Sequence, residues 1–86
     1  MKLISILTAL PLLLSVPALA KKSCTDEPKS KWMKVEDFKK KVESEGYKIE
    51  KFKQPGSCYE IYGTDKSGQQ VEIYFNPVDG SVAKRK

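Results

Sequence analysis

Residues Cys58-Tyr-Glu-Ile-Tyr-Gly-Thr-Asp-Lys-Ser-Gly-Gln-Gln-Val-Glu-Ile-Tyr-Phe-Asn76 decide the fold. Two runs rich in aromatic and β-branched residues flank a polar break that ends at Gly68, the pattern of a β-hairpin. A three-residue loop of Lys66, Ser67 and Gly68 puts Gly68 in the left-handed position that glycine alone occupies cheaply. It also sets Ile61 opposite Ile73, Tyr59 opposite Phe75 and Tyr62 opposite Glu72. A four-residue loop would place Tyr62 across from Val71 and mix the two faces, so alternation selects the odd loop.

The neighbouring segments extend this hairpin in both directions. Downstream, Asn76-Pro77-Val78-Asp79-Gly80 is a turn, with proline preset for its first corner. A four-residue loop there sets Val82 opposite Phe75, on the same apolar face. Upstream, Gln54-Pro55-Gly56-Ser57 is a turn, and Tyr47 to Lys53 alternates as a strand whose phase slips near Lys51. A bulge or an edge position accounts for such a slip.

Gly46 stops a helix predicted over 35–45, in which Val35, Phe38 and Val42 form one narrow apolar stripe. Met33 and Phe38 flank Lys34 with the spacing of a hydrophobic staple, and Glu36 and Asp37 suit the first turn. Residues 21–31 contain Pro28 and no apolar period, and read as an extended arm leading to Trp32.

The expected fold class is therefore α+β: one helix packed on a small antiparallel β-sheet of about four strands. Tyr59, Ile61, Val71, Ile73, Phe75 and Val82 face the helix. Glu60, Tyr62, Glu72 and Tyr74 occupy the opposite, outer face. Cys58 shares their parity, so a bond from Cys58 to the arm would draw it across the outer side or around the sheet edge.

Residues 1–20 read as a secretory leader rather than as part of the fold. Lys2 begins it, Leu3 to Val16 is apolar, and Ala18-Leu19-Ala20 is a small-residue cleavage site. The apolar run is short for a bilayer span and is interrupted by Pro11 and Pro17, which disfavours an uncleaved anchor. Cleavage after Ala20 leaves residues 21–86, with the arm over 21–31 and one domain over 32–86, in a periplasmic or secreted location.

A domain of this size buries only about 60% of its unfolded surface and benefits from a staple. The chain has two cysteines, Cys24 and Cys58, and an even count in an exported chain is the arithmetic of a disulfide; two free thiols are the alternative. Closing that loop contributes about 4 kcal/mol on the chain-entropy model.

Three stretches carry a resemblance to a known family. Gly46-Tyr47-Lys48-Ile49 after a lysine-rich helix, Cys58-Tyr59-Glu60-Ile61-Tyr62, and Val71-Glu72-Ile73-Tyr74-Phe75-Asn76-Pro77-Val78-Asp79-Gly80-Ser81-Val82 resemble the PepSY domain. The likeness is to its short, secreted, single-domain branch and spans roughly residues 32–84. That branch tends to have paired cysteines and a Trp-Met approach to the helix, matched by Cys24, Cys58, Trp32 and Met33. Lys34 stands where serine or threonine is usual. The resemblance implies a helix-on-sheet module outside the cytoplasm. Such modules occur in propeptides of thermolysin-like metallopeptidases, with a proposed inhibitory or chaperone role, and in membrane and cell-envelope proteins.

Composition narrows the chemistry. The chain has no histidine, the commonest general base and metal ligand. Paired cysteines supply neither a thiolate nor a zinc site, and no phosphate loop or serine-nucleophile motif is present. Glu60 and Glu72 share a sheet face, but a catalytic pair needs a cleft, so solvated strand glutamates are expected and no enzymatic activity, cofactor or metal. Tyr62 and Tyr74, flanked by those glutamates, are candidate contact residues, since tyrosine is enriched at interfaces. Cross-strand aromatic stabilisation is the plainer alternative.

The net charge is +5, yet the helical lysines are interleaved with acids, and Glu60 and Glu72 oppose phosphate. Nucleic acid is excluded as a partner, whereas weak contact with an anionic membrane surface through Lys84-Arg85-Lys86 is compatible with the charge. The function expected is modulation of another envelope or secreted protein, either a peptidase or a membrane redox or sensor protein. Docking would use the open sheet face, with Glu60, Tyr62, Glu72 and Tyr74, or an edge strand. The alternative is a cationic envelope-surface or ligand-sequestering protein with no specific partner.

Overall fold

A computed structural model describes residues 22–86; the leader read over 1–20, its cleavage after Ala20, and Lys21 of the arm lie outside them. Among the described residues the order of elements is a 3-10 turn (Lys29–Lys31), α1 (Val35–Ser44), β1 (Lys48–Lys53), β2 (Tyr59–Thr64), β3 (Gln70–Phe75) and β4 (Val82–Arg85). The strands form one antiparallel sheet in chain order, β1-β2-β3-β4, with α1 on its inner side. This is the expected α+β arrangement.

The β2–β3 hairpin has the register derived from alternation, with Tyr59 opposite Phe75, Ile61 opposite Ile73 and Tyr62 opposite Glu72. The Asp65 amide donates to the Gln69 carbonyl and the Gly68 amide to the Asp65 carbonyl, with Gly68 at φ 88°. The Asp65 carboxylate accepts from the amides of Ser67 and Gln69, which pins the loop from inside.

The core follows from this register. Phe38 and Val42 of α1 are fully buried against Tyr59, Ile61, Ile73 and Phe75. The Phe38 ring lies 4.8 Å from Tyr59 and 5.0 Å from Phe75, centroid to centroid, in tilted and edge-on geometry. Trp32, Met33, Val35 and Phe52 close the rim, and the Tyr59 hydroxyl donates to the Met33 carbonyl at 2.6 Å. Lys34 caps α1 without a side-chain hydrogen bond, so packing on either side of it sets where the helix begins.

β1 is an edge strand and carries a bulge, so both explanations of its phase slip hold. Register shifts between Ile49 and Lys51, leaving Glu50 unpaired. The bulge keeps Ile49 and Phe52 facing the core although they are three residues apart. At this bend β1 approaches β2 so closely that a Cβ on Gly63 would overlap the Lys48 carbonyl oxygen. Gly63→Ala must push two backbones apart, and a loss of about 2 kcal/mol or more is expected from the urea unfolding midpoint. A variant as stable as the parent would show that the bulge absorbs the methyl group.

Two expectations are corrected. Val82 does pair with Phe75, but it is 43% exposed and does not join the core. α1 lies toward the β1 side of the sheet and leaves β4 uncovered, so inward parity there brings no burial. Register also shifts between Tyr74 and Phe75, which leaves Ala83 as a second bulge. The arm, in turn, is not extended throughout. Pro28 starts a 3-10 turn in which the Lys31 amide donates to the Pro28 carbonyl, and the Trp32 indole donates to the Glu27 carbonyl.

Candidate functional site

The disulfide joins Cys24 to Cys58, with Cα atoms 5.0 Å apart. Ser57 reinforces it: its amide donates to the Lys22 carbonyl and its hydroxyl accepts from the Cys24 amide. The arm is thereby laid against the outer side of the sheet, where the parity of Cys58 pointed. Lys22 ends with its ammonium 5.1 Å from the centre of the Tyr74 ring.

The structure brings Glu60, Tyr62, Glu72 and Tyr74 together at the centre of the outer face. Glu60 is the cross-strand partner of Tyr74, and Tyr62 that of Glu72. The face is less open than alternation implied. Glu60 is 3% exposed and Tyr74 5%, so the expectation of solvated strand glutamates fails at Glu60. Lys22 and Lys86 both stack on Tyr74, and Lys51 and Lys53 both lie over Tyr62. Each tyrosine therefore has two ammonium groups within 6 Å of its ring centre. Lys22, Lys51 and Lys53 were missed from sequence, and Lys86 was read only within a basic tail suited to an anionic surface. The β1 phase slip held the signal for Lys51 and Lys53, whereas nothing local marked Lys22.

The two carboxyl groups differ in environment. Burial, followed by hydrogen bonding with Glu72, pushes the Glu60 pKa up. Its Oε2 is buried and has no hydrogen-bond partner among the described residues. Hydrogen bonding from Glu60 first, then from Tyr62, together with the charge of Lys86, holds Glu72 below its usual range. Lys86 reaches Glu72 at 3.5 Å through its side chain, and its amide donates to the Glu72 carbonyl at 2.9 Å. Tyr62 is pushed up to about 12, chiefly because its hydroxyl hydrogen-bonds Glu72. Burial, and then the charge of Glu60, raises Tyr74. The two carboxyl groups are thus shifted in opposite directions, Glu60 upward and Glu72 downward.

A pH dependence follows. Glu60, raised, stabilises the fold fully below the ordinary carboxylate range and loses that contribution as pH rises through its folded pKa. Glu72, lowered, contributes above that range and loses its share as pH falls through its own folded pKa. Their sum peaks within the ordinary carboxylate range. Glu60→Gln keeps a donor for Glu72 and removes a buried ionisable group. It is expected to raise the thermal midpoint by several degrees at about pH 8, with the gain vanishing near about pH 4. A parent protein more stable than the variant at about pH 8 would contradict the upward shift of Glu60.

Chemically, this face suits contact better than turnover. Two surface depressions are lined by other groups, one by Lys22, Ser23, Lys29, Gly56 and Ser57, the other by Glu45, Tyr47, Asp65, Lys66, Ser67 and Arg85. Neither is lined by Glu60 or Glu72. Among the described residues no group of three or more metal-ligating side chains converges, and no helix is long and apolar enough to cross a membrane.

The helix-on-sheet order, the stapled arm and the Asn76–Gly80 turn accord with one family, and the family model of the peptidase propeptide and YPEB domain matches residues 4–86. The chain belongs to the PepSY family. PepSY domains are propeptide-like and inhibitor-like modules, generally non-catalytic and often extracellular or periplasmic. No curated protein and no solved structure matches the chain. In this PepSY domain α1 covers the inner side of the sheet toward β1 and leaves the outer face uncovered by a helix.

Proposed function

We propose that this chain is an exported regulatory module that modulates another protein of the envelope or secreted fraction by docking its outer sheet face. The observation that carries the reading is Tyr62, a half-buried aromatic side chain with the Lys51 and Lys53 ammonium groups near its ring, on the face that α1 does not cover. Its hydroxyl hydrogen-bonds Glu72 across the ladder, and an aromatic ring anchored in this way loses little conformational freedom on binding. Glu60 and Tyr74 lie beneath the contact layer and fix its shape. The leader-like 1–20 segment and the Cys24–Cys58 bond support an oxidising location outside the cytoplasm.

Docking by strand addition is the weaker route. The β1 edge carries a bulge and three lysines, devices that discourage edge pairing, and β4 is short and basic. Family membership makes a peptidase the first partner class to test, ahead of a membrane redox or sensor protein.

The test is a titration of peptidase activity in the exported fraction with oxidised protein. The parent is expected to change activity saturably, and Tyr62→Ser to weaken the effect by about tenfold or more. Equal potency of parent and variant would refute docking through this face. The lysine cluster also favours a second reading, a cationic envelope-surface protein. In that case binding collapses at moderate ionic strength regardless of Tyr62.

A further inference from the structure

The two strand bulges have a common effect on charge. In an unbroken strand Lys48 would share a face with Glu50 and Phe52. With Glu50 extruded, Lys48 lies opposite Thr64, Lys51 opposite Tyr62 and Lys53 opposite Glu60, all on the outer face. At the other edge, Ala83 is extruded, and Lys84 lies opposite Tyr74 although Val82 lies opposite Phe75. Lys86 follows on the outer side and contacts Glu72 and Tyr74. The arm adds Lys22 over Tyr74.

Six lysines thus converge on one face, from both edges and the arm. Its two central acids are spent, Glu60 by burial and Glu72 by its pairing with Lys86. The helix segment shows no such bias, since Lys39, Lys40 and Lys41 are flanked by Glu36, Asp37, Glu43 and Glu45.

We propose that the outer face receives an extended acidic peptide segment of the partner protein at two stations, the lysine pair Lys51 and Lys53 beside Tyr62 and the lysine pair Lys22 and Lys86 above the buried Tyr74. The proposal rests on the docking reading above and specifies the partner's chemistry. Tyr62 and Tyr74 are diagonal neighbours on the β2–β3 ladder, a relation that spans roughly 7–8 Å. Same-side carboxylates at i and i+2 of an extended strand lie about 6.6–6.8 Å apart, so alternate acidic residues match the two stations.

A peptide fits better than a phosphate polymer. Glu72 lies beside the stations as an acceptor, which an all-acceptor backbone cannot meet, whereas a peptide brings N–H donors for it along with carboxylates for the lysines. An anionic membrane also fits poorly, because this face offers no exposed tryptophan, phenylalanine or leucine to enter a bilayer.

The experiment is fluorescence anisotropy with a labelled peptide of alternating glutamate and serine, titrated with the oxidised protein. The probe is compared with a peptide of equal composition whose glutamates are blocked together. Tighter binding of the alternating peptide is expected. Lys51→Glu/Lys53→Glu should weaken it about tenfold, and Lys31→Glu/Lys40→Glu, with the same change in net charge, less than about twofold. Circular dichroism confirms that each variant is folded.

Equal losses in the two double variants, equal affinity for the two peptides, or preferential binding to phosphatidylglycerol vesicles with the same variant dependence would each overturn the proposal. If no peptide binds while Tyr62→Ser still blunts the effect on the partner's activity, the acidic-peptide assignment fails and outer-face docking stands. If the alternating peptide binds as expected but Tyr62→Ser leaves that effect intact, the lysine stations stand and docking through Tyr62 fails.

Discussion

Breaking the Cys24–Cys58 bond, by reduction or by replacing both residues with serine, is expected to cost about 2–5 kcal/mol. The bond closes a 34-residue separation and is the covalent tie between the arm and the sheet. A domain this small has a total stability of only about 5 kcal/mol, so the loss approaches the whole of it. The thermal midpoint should fall by at least about 10 °C, read by circular dichroism with and without reductant. The effect is local as well as global, because the bond holds Lys22 over Tyr74 and the Ser57 amide against the Lys22 carbonyl. Fluorescence quenching of Tyr74 by a soluble quencher should therefore rise in the reduced protein before unfolding begins. A reduced protein with an unchanged midpoint would show that the arm is held by its hydrogen bonds alone.

Phe38→Ala should be as damaging through a different cause. Phe38 is fully buried and is the one helical side chain whose ring meets Phe52, Tyr59 and Phe75 together. Truncating such a ring costs about 3–5 kcal/mol through lost burial and the cavity left behind. Urea unfolding of the oxidised variant should show that loss. Phe38→Leu, which refills most of the space, should recover more than half of it. An alanine variant within about 1 kcal/mol of the parent would mean that α1 contributes little to holding the sheet.

The inner half of this protein was legible in its sequence because alternation and one glycine over-determine it. Gly68 fixes an odd loop, the odd loop fixes the register, and the register sorts Tyr59, Ile61, Ile73 and Phe75 from Glu60, Tyr62, Glu72 and Tyr74. The outer half was less legible, since parity says which way a side chain points and nothing of what covers it. Glu60 is buried, and the groups over its cross-strand partner Tyr74 are distant in sequence, Lys22 of the stapled arm and Lys86. Val82 fails in the opposite sense, with its inward parity wasted on an edge strand beyond the helix. The Glu50 bulge left a trace in the slip between Ile49 and Phe52, whereas the four residues of β4 are too few to show a broken period. The lysine face was hidden for the same reason, since residues 48, 51, 53, 84 and 86 have mixed parity until both bulges are counted.

The central claim is that this PepSY domain meets its partner with the outer face of the sheet. The most direct measurement places a photo-crosslinking residue either at Lys51, beside Tyr62, or at Lys40 on the exposed side of α1. Both proteins are then irradiated with the exported peptidase whose activity the parent changes. Cross-linking from position 51 and none from position 40 is the predicted result. Cross-linking from position 40 alone, or equally from both, would contradict it.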